Sequence, residues 1–257
     1  MTKSLSTDSS VVLITGAAKR IGAEVARFLH ANNYSVVIHY HTSHKDAEQL
    51  TASLNNIREN SAVSFRADLN KMREIDLLAQ QAIAHWGKLN VLVNNASSFY
   101  PTVVGATEES HWEDLMGSNV KAPFFLAQTL AAELTKNRGC IINMADIYGD
   151  RPLKRHSVYS MAKAANVMLT KSLALELAPN VRVNGIAPGA ILWPEKVGSE
   201  HSEKNMLTDK KNLLDKIPLH KTGDTNDIAK TILFLIKDAP YINGQIITVD
   251  GGRNLTI

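Results

Sequence analysis

The chain has 257 residues, of which 44% are hydrophobic and 21% are charged, and its formal net charge is +3. This length allows one α/β domain with a substantial core, and the mild positive charge forms no long basic run of the kind that binds nucleic acid. A single cysteine, Cys140, excludes an internal disulfide and a cysteine metal cluster, so we expect no metal site.

The N-terminal segment 1–9 is polar and is expected to be flexible. It lacks the apolar core of a signal peptide. No apolar run approaches the ~18 residues that a membrane span needs. We therefore expect a cytoplasmic enzyme that has neither a membrane nor a nucleic-acid partner.

The first motif is a glycine turn between a strand and a helix. The apolar run Val11–Ile14 predicts a strand buried on both faces. Gly16 then allows a tight turn, and Gly22 allows close packing between helix and strand. In this context the N–H groups at the start of the helix would face a dinucleotide pyrophosphate. An ordinary strand-to-helix turn with incidental glycines is the alternative.

The second strand, Ser35–Tyr40, indicates which dinucleotide would bind. Folds that prefer NAD usually end this strand with an acid that binds the ribose hydroxyl, and no acid stands here. Hydrogen-bond donors and cations are available instead: His41, Thr42 and Ser43 after the strand, and Lys19 and Arg20 on the neighbouring turn. This pattern predicts NADPH, although a polar loop without cofactor contact is also compatible with it.

Two further strands are predicted at 62–69 and 89–93. The first runs into Asp68, which either accepts a hydrogen bond from an adenine amino group or caps the next helix. The second is followed by the polar segment 94–101. A helix is then predicted over 112–134, with Pro123 as a point of bending.

Asn119 lies in the apolar middle of that predicted helix. A buried amide needs hydrogen-bond partners. It either holds a water or a backbone group near Lys163, or is a satisfied amide of the core.

Tyr159 and Lys163 form the pattern that is most suggestive of chemistry. The fifth predicted strand, Cys140–Met144, delivers Asp146, and a helix then runs through Tyr159 to residue 177. Residues four apart share one face of a helix. Because an ammonium favours the phenolate, Lys163 is expected to lower the pKa of Tyr159 and make it a useful acid. A surface tyrosine beside a solvated lysine is the alternative.

The rest of the chain completes an alternation of strands and helices. A sixth strand and turn are predicted at 181–189, a lid at 192–216, a helix at 228–235, and a last strand and turn at 245–252. This alternation predicts an α/β fold, a single-domain, Rossmann-like doubly wound parallel sheet flanked by helices and spanning 1–257. Ligands of such sheets lie beyond the carboxyl ends of the strands.

Several of these motifs together resemble the short-chain dehydrogenase/reductase family. The matched pieces span almost the whole chain in order: Thr15-Gly16 with Gly22, Asn94-Asn95-Ala96, Asn119, Tyr159 with Lys163, Asn184 with Pro188-Gly189, and Asp250-Gly251-Gly252. The resemblance implies hydride transfer from a nicotinamide, with Tyr159 as the acid and Lys163 holding the ribose. It also implies a homotetramer.

Two positions depart from the family pattern. Arg20 stands where the family usually has glycine, and Asp146 stands where it usually has serine. That serine normally donates a hydrogen bond to a substrate carbonyl oxygen, whereas a carboxylate cannot donate and would repel a developing alkoxide. Asp146 suits a substrate rich in N–H donors, or a proton relay through Tyr159.

At both of these positions, Arg20 and Asp146, the chain is similar to the pteridine reductase subgroup. That resemblance implies NADPH-dependent reduction of a C=N bond in a dihydropterin, with dihydrofolate and oxidised pterins as further substrates. Its catalytic residues would be Asp146, Tyr159 and Lys163. The implied substrate contacts are Arg20, Ser97, Phe99, Asp146, Tyr159 and Pro194. The implied cofactor contacts are Gly16, Lys19, Arg20, Ile21, His41, Thr42, Ser43, Asp68, Leu69, Asn95, Ala96, Ser97, Tyr159, Lys163, Pro188 and Gly189.

Two other functions stay open at this point. A carbonyl reductase, such as one acting on 3-oxoacyl thioesters, would favour serine rather than aspartate at position 146. A non-catalytic NADPH-sensing or scaffold protein would not need the intact pair of Tyr159 and Lys163.

Overall fold

The structure, a computed structural model, describes residues 9–191 and 211–256. One parallel sheet of seven strands has the order β3-β2-β1-β4-β5-β6-β7 and carries helices on both faces, which confirms the predicted fold class. The strands are β1 Val11–Ile14, β2 Ser35–Tyr40, β3 Ala62–Arg66, β4 Val91–Asn94, β5 Cys140–Met144, β6 Arg182–Pro188 and β7 Ile246–Val249. The helices are α1 Arg20–Ala31, α2 His44–Ile57, α3 Met72–Trp86, α4 Glu109–Met116, α5 Ala122–Lys136, α6 Ser157–Glu176 and α7 Thr225–Lys237.

The sheet is buried on both faces because successive side chains of a strand point to opposite sides. In β1, Val12 and Ile14 pack into the layer that includes α1 and α7. Val11 and Leu13 pack into the opposite layer, which includes α3, α5 and α6. This explains why the strands read as continuous apolar runs rather than as alternating ones.

The strand order changes direction at β1, which pairs with β2 on one side and with β4 on the other. In sheets of this kind the crevice beyond the carboxyl ends of such strands is the usual ligand site. The loops that follow β1, β4, β5 and β6 all leave the sheet at this edge. Together with the loops after β2 and β3, these loops carry most of the residues that the sequence predicts to bind or react.

The predicted helix over 112–134 is wrong as a continuous α-helix. The structure has α4, then a π-helical segment Gly117–Lys121, then α5. Pro123 lies in the first turn of α5, where its missing N–H costs no helical hydrogen bond. The interruption is therefore the π segment, which contains Asn119, and not a proline bend.

Some predictions fall outside the described residues. These are the flexible N-terminus at 1–8 and the 192–210 part of the predicted lid, which includes Pro194. Within the described residues, no helix is long and apolar enough to cross a membrane. The third predicted strand ends early, at Arg66, so Asp68 and Leu69 lie in the loop beyond it.

Candidate active site

The glycine turn has the geometry that its sequence predicts. Gly16 has φ +61°, in the left-handed region that favours glycine, and a Cβ there would lie 3.0 Å from the Cα of Ala96. A Cβ on Gly22 would lie 2.4 Å from the carbonyl oxygen of Gly16. Lys19, the N-cap residue of α1, makes no side-chain capping hydrogen bond, and no acid stands in the first turn. This helix end therefore fits the pyrophosphate of a dinucleotide.

Arg20 occupies a strained position in the same turn. Its φ is +54°, in the region where a side chain costs roughly 1–2 kcal/mol. Its side chain is exposed at the crevice rather than packed in the core. The strain explains why glycine is the usual residue here, and it indicates that the arginine side chain has a use.

His39 is a supporting residue that the sequence reasoning missed. Its Nδ1 accepts a hydrogen bond from the Gly16 N–H at 3.0 Å, and its Nε2 donates to the Ala67 oxygen at 3.0 Å. This pattern requires a neutral imidazole. Burial lowers the pKa of His39 to about 4, which keeps it neutral. His39 thus ties the glycine turn to the loop after β3. A histidine in an otherwise apolar buried strand was the available signal.

A first cavity of about 550 Å³ lies along the glycine turn. The predicted cofactor residues that line it are Gly16, Lys19, Arg20, Ile21, His41, Asp68, Leu69, Asn95, Ala96, Ser97 and Tyr159. Thr42 and Ser43 are not among its lining residues, and Ser43 instead stands at the N-cap position of α2. Lys19 forms an ion pair with Asp46 at 3.0 Å. The Asp68 carboxylate accepts from the Asn70 N–H at 3.0 Å.

A second cavity of about 760 Å³ adjoins the first, since Arg20, Asn95, Ser97, Phe99 and Tyr159 line both. Its other lining residues include Met144, Asp146, Tyr148, Lys163, Pro188, Gly189, Ile191 and Arg253. The volume lies within the range of small-molecule sites. Tyr148 and Arg253 are lining residues that the sequence reasoning missed.

The structure brings Tyr159, Asp146 and Lys163 together at the floor of this cavity. The Tyr159 hydroxyl donates to Oδ2 of Asp146 at 2.7 Å, and the Tyr148 N–H donates to Oδ1 of Asp146 at 2.9 Å. The Lys163 Nζ donates to the Met144 carbonyl oxygen at 2.8 Å and lies 5.6 Å from the centre of the Tyr159 ring. Tyr159 and Lys163 are buried, so the alternative of a surface tyrosine beside a solvated lysine is wrong.

Burial controls the protonation of these three groups. It raises the pKa of Tyr159 far above its ordinary value, and the adjacent Asp146 raises it further. It lowers the pKa of Lys163 to about 8, opposed by the attraction of Asp146. It also raises the pKa of Asp146, against the opposing effects of Tyr148, Tyr159, Lys163 and Arg253. The pKa of Tyr159 is therefore raised overall in this structure, and the lowering by Lys163 stays a prediction.

The side-chain amide of Asn119 has its hydrogen-bond partners within the protein, which agrees with the alternative of a satisfied amide of the core. Its Nδ2 donates to the oxygens of Ser98 and Leu115, and its Oδ1 accepts from the Ser97 hydroxyl at 2.7 Å. Its backbone oxygen accepts from Asn166 of α6 at 2.8 Å. The π segment thereby connects α6, which carries Tyr159 and Lys163, to the loop that carries Ser97 and Phe99.

Phe99 presents an aromatic surface to the second cavity. One face stacks on His156, with ring centres 4.8 Å apart and planes inclined by 13°. Its ring also meets Tyr159 nearly edge to face, at 4.8 Å and 75°. Phe99 is 54% exposed, so a planar ligand can stack on it.

Comparison with known proteins gives one family. The family described as Enoyl-(Acyl carrier protein) reductase matches residues 16–254. Pteridine reductase 1 of Leishmania tarentolae is 38% identical, covering 96% of each chain. A 3-oxoacyl-acyl-carrier-protein reductase FabG of Staphylococcus epidermidis is 34% identical over 93% of this chain and 97% of its own. A ketoacyl reductase of the granaticin polyketide synthase of Streptomyces violaceoruber is 31% identical over 96% and 97%.

The neutral state of His39 predicts a pH dependence of stability. The unfolded chain binds a proton at this residue near pH 6.5, whereas the folded chain does so only near pH 4. The contribution of His39 is therefore complete above about pH 6.5, and it falls by up to about 3 kcal/mol as the pH drops to 4.

Urea unfolding of the wild type and of His39→Gln between pH 4 and 7.5 measures this contribution. The difference in unfolding free energy between the two proteins should shrink as the pH falls. A difference that stays constant over this range would contradict the assignment of a neutral His39.

Proposed function

The chain belongs to the short-chain dehydrogenase/reductase family, and we propose that this oxidoreductase is an NADPH-dependent pteridine reductase. The proposed reaction adds a hydride to the carbon and a proton to the nitrogen of a C=N bond. The substrate is a dihydropterin of the dihydrobiopterin or dihydromonapterin type, and dihydrofolate and oxidised pterins are included as further substrates. A homotetramer and a cytoplasmic location belong to the same proposal.

The observation that carries this proposal is the position of Asp146. Its carboxyl group is half-buried, lines the second cavity and is fixed by hydrogen bonds from Tyr159 and Tyr148. An ionised carboxylate accepts hydrogen bonds and repels negative charge. It is therefore suited to the amino and N–H groups of a pterin, and poorly suited to the alkoxide that forms when a ketone is reduced.

Tyr159 and Asp146 together would supply the proton. Tyr159 and Asp146 both line the second cavity. The Tyr159 hydroxyl, which donates to Asp146 in this structure, would turn its hydrogen to a substrate nitrogen when a substrate binds. Asp146 would then take up a proton from solvent and pass it to Tyr159, because burial raises the pKa of this carboxyl above its ordinary value. We propose this relay because burial and Asp146 raise the pKa of Tyr159.

The proposed cofactor fits the chain's own residues. When bound, NADPH supplies the hydride. Gly16 and the N-terminus of α1 would accommodate the pyrophosphate, and Lys163 would hold the nicotinamide ribose near Tyr159. The preference for NADPH is supported by the absence of an acid at the end of β2, and by His41 in the first cavity. We propose that Thr42 and Ser43 contact the ribose phosphate from the same loop.

Phe99 and Ser97 would bind the pterin ring, which lies between Phe99 and the nicotinamide. His156 supports the face of Phe99 that points away from the ligand. The Ser97 hydroxyl is oriented by Asn119 and lines both cavities. Arg20 also lines both cavities, so its side chain can bridge cofactor and substrate. This use would offset the strain of its positive φ.

A second candidate function is the reduction of 3-oxoacyl thioesters. The similarity to FabG of Staphylococcus epidermidis, at 34% identity, favours it. The two candidates differ in whether the reacting group is a C=N or a C=O bond, and Asp146 favours the former.

A direct assay separates these candidates. NADPH consumption by the purified protein is measured with dihydrobiopterin, dihydromonapterin, dihydrofolate and biopterin, beside an acetoacetyl thioester. We expect turnover of at least one pterin and none of the thioester. Turnover of the thioester alone would leave only the family assignment. If none of these substrates led to consumption of NADPH, a sensing or scaffold protein would be favoured.

Tyr159→Phe tests the source of the proton. Removing this hydroxyl should lower kcat by about 10²–10⁴-fold, while the dissociation constant of NADPH stays close to that of the wild type. Tyr100→Phe is the matched control, because it removes a hydroxyl that is bonded to Asp114 and does not line either cavity. Full activity of Tyr159→Phe would reject the role given to this residue.

A further inference from the structure

Arg253 is a cation of the second cavity to which the proposed reaction assigns no role. It follows β7, in the short helical turn Arg253–Leu255 near the end of the chain. Its Nη2 donates to the Tyr148 hydroxyl at 2.9 Å, and its guanidinium carbon lies 5.7 Å from the centre of the Tyr148 ring. Arg253 thus reaches from the end of the chain to the turn after β5, beside Asp146.

The turn that carries Arg253 is firmly anchored. Both oxygens of Asp250 accept backbone hydrogen bonds, from Gly252 at 2.9 Å and from Asn254 at 2.6 Å. The Asn254 side chain donates to Asp150 at 3.0 Å, and the Arg151 guanidinium donates to the carbonyl oxygen of Thr256. A side chain on such a support is held in place before a ligand arrives, which lowers the entropic cost of binding.

The guanidinium of Arg253 retains binding capacity. Among the described residues it makes one hydrogen bond and no ion pair within 4 Å. An arginine has five N–H donors in a planar fork that matches a carboxylate. The aromatic ring of Tyr148 and the rigid turn fix the direction of this fork.

The strand order separates the backbone of Arg253 from the loop that carries Phe99. Phe99 follows β4, Asp146 follows β5, and Arg253 follows β7. Since neighbouring strands lie about 4.8 Å apart, the loops after β4 and β7 start roughly 14 Å from each other. A bicyclic ring stacked on Phe99 and bonded to Asp146 would direct its substituent along the cavity, and Arg253 enters that cavity from the β7 side.

We propose that Arg253 is a specificity-determining residue that binds a carboxylate on the substituent of the pterin. This inference rests on the proposed function and, within its substrate class, makes pterins that carry an anionic substituent the preferred substrates. Dihydrofolate carries such carboxylates, whereas the substituent of dihydrobiopterin is uncharged. The positive charge of Arg253 and the fork geometry of its guanidinium would together favour dihydrofolate.

The test compares Arg253→Met with the wild type on both substrates in the presence of NADPH. We expect kcat/KM for dihydrofolate to fall about tenfold or more, mainly through a higher KM, because a charge-assisted hydrogen bond is lost. For dihydrobiopterin the change should stay below about threefold. Lys221→Met, which removes an exposed charge that does not line this cavity, should change neither value. Arg253→Lys keeps the charge without the fork and should give an intermediate KM for dihydrofolate.

Equal losses on the two substrates would overturn the inference, since Arg253 would then act through Tyr148 or Asp146 and not on the substituent. An unchanged KM for dihydrofolate would overturn it as well. The wild type provides a check that needs no variant, because its KM for dihydrofolate should rise with ionic strength more than its KM for dihydrobiopterin. If the wild type reduces neither pterin, the proposed function fails first and the inference fails with it.

Discussion

The half-buried hydrogen bond between Tyr159 and Asp146 is the interaction on which the site depends. A carboxyl group and a phenol are removed from water together, and each would be costly without a partner. The Tyr148 N–H satisfies the second carboxyl oxygen, and the neighbouring charges of Lys163 and Arg253 favour its ionised form. Burial works in the opposite direction, so the protonation of Asp146 is poised between the two effects.

The fold supplies the supports for this bond. β5 ends two residues before Asp146, and α6 places Tyr159 and Lys163 on one face of the helix. Gly149 allows the turn after Asp146 to pack against the backbone of α6, since a Cβ there would lie 2.9 Å from the Lys163 carbonyl group. On the other side the π segment binds α6 through Asn166 and orients Ser97. π-Helical segments that interrupt α-helices are frequent at functional sites.

Much of this arrangement can be predicted from the sequence. The continuous apolar runs specify strands such as Val11–Ile14, Ser35–Tyr40 and Cys140–Met144, because a sheet covered by helices buries both faces. The spacing of Tyr159 and Lys163 places them on one helix face regardless of the rest of the chain. The carboxyl edge of the sheet then assembles the remaining residues from separate loops.

Other features depend on contacts between distant parts of the chain. His39 connects the turn after β1 with the loop after β3, and neither local spacing nor propensity reveals this link. Arg253 reaches the cavity only because the terminal turn folds back onto Tyr148. The overall upward shift of the Tyr159 pKa does not follow from the spacing of Tyr159 and Lys163, because burial, which dominates the shift, is a property of the tertiary structure.

The central claim is that a carboxyl group at position 146 selects a C=N substrate. It is tested most directly by comparing the wild type with Asp146→Ser and Asp146→Asn, measuring kcat/KM for dihydrobiopterin and for an acetoacetyl thioester. The account predicts that both variants lose about 10²-fold or more on the pterin, since the acceptor and its proton are removed. Retention of the wild-type rate on dihydrobiopterin by Asp146→Ser would contradict the account.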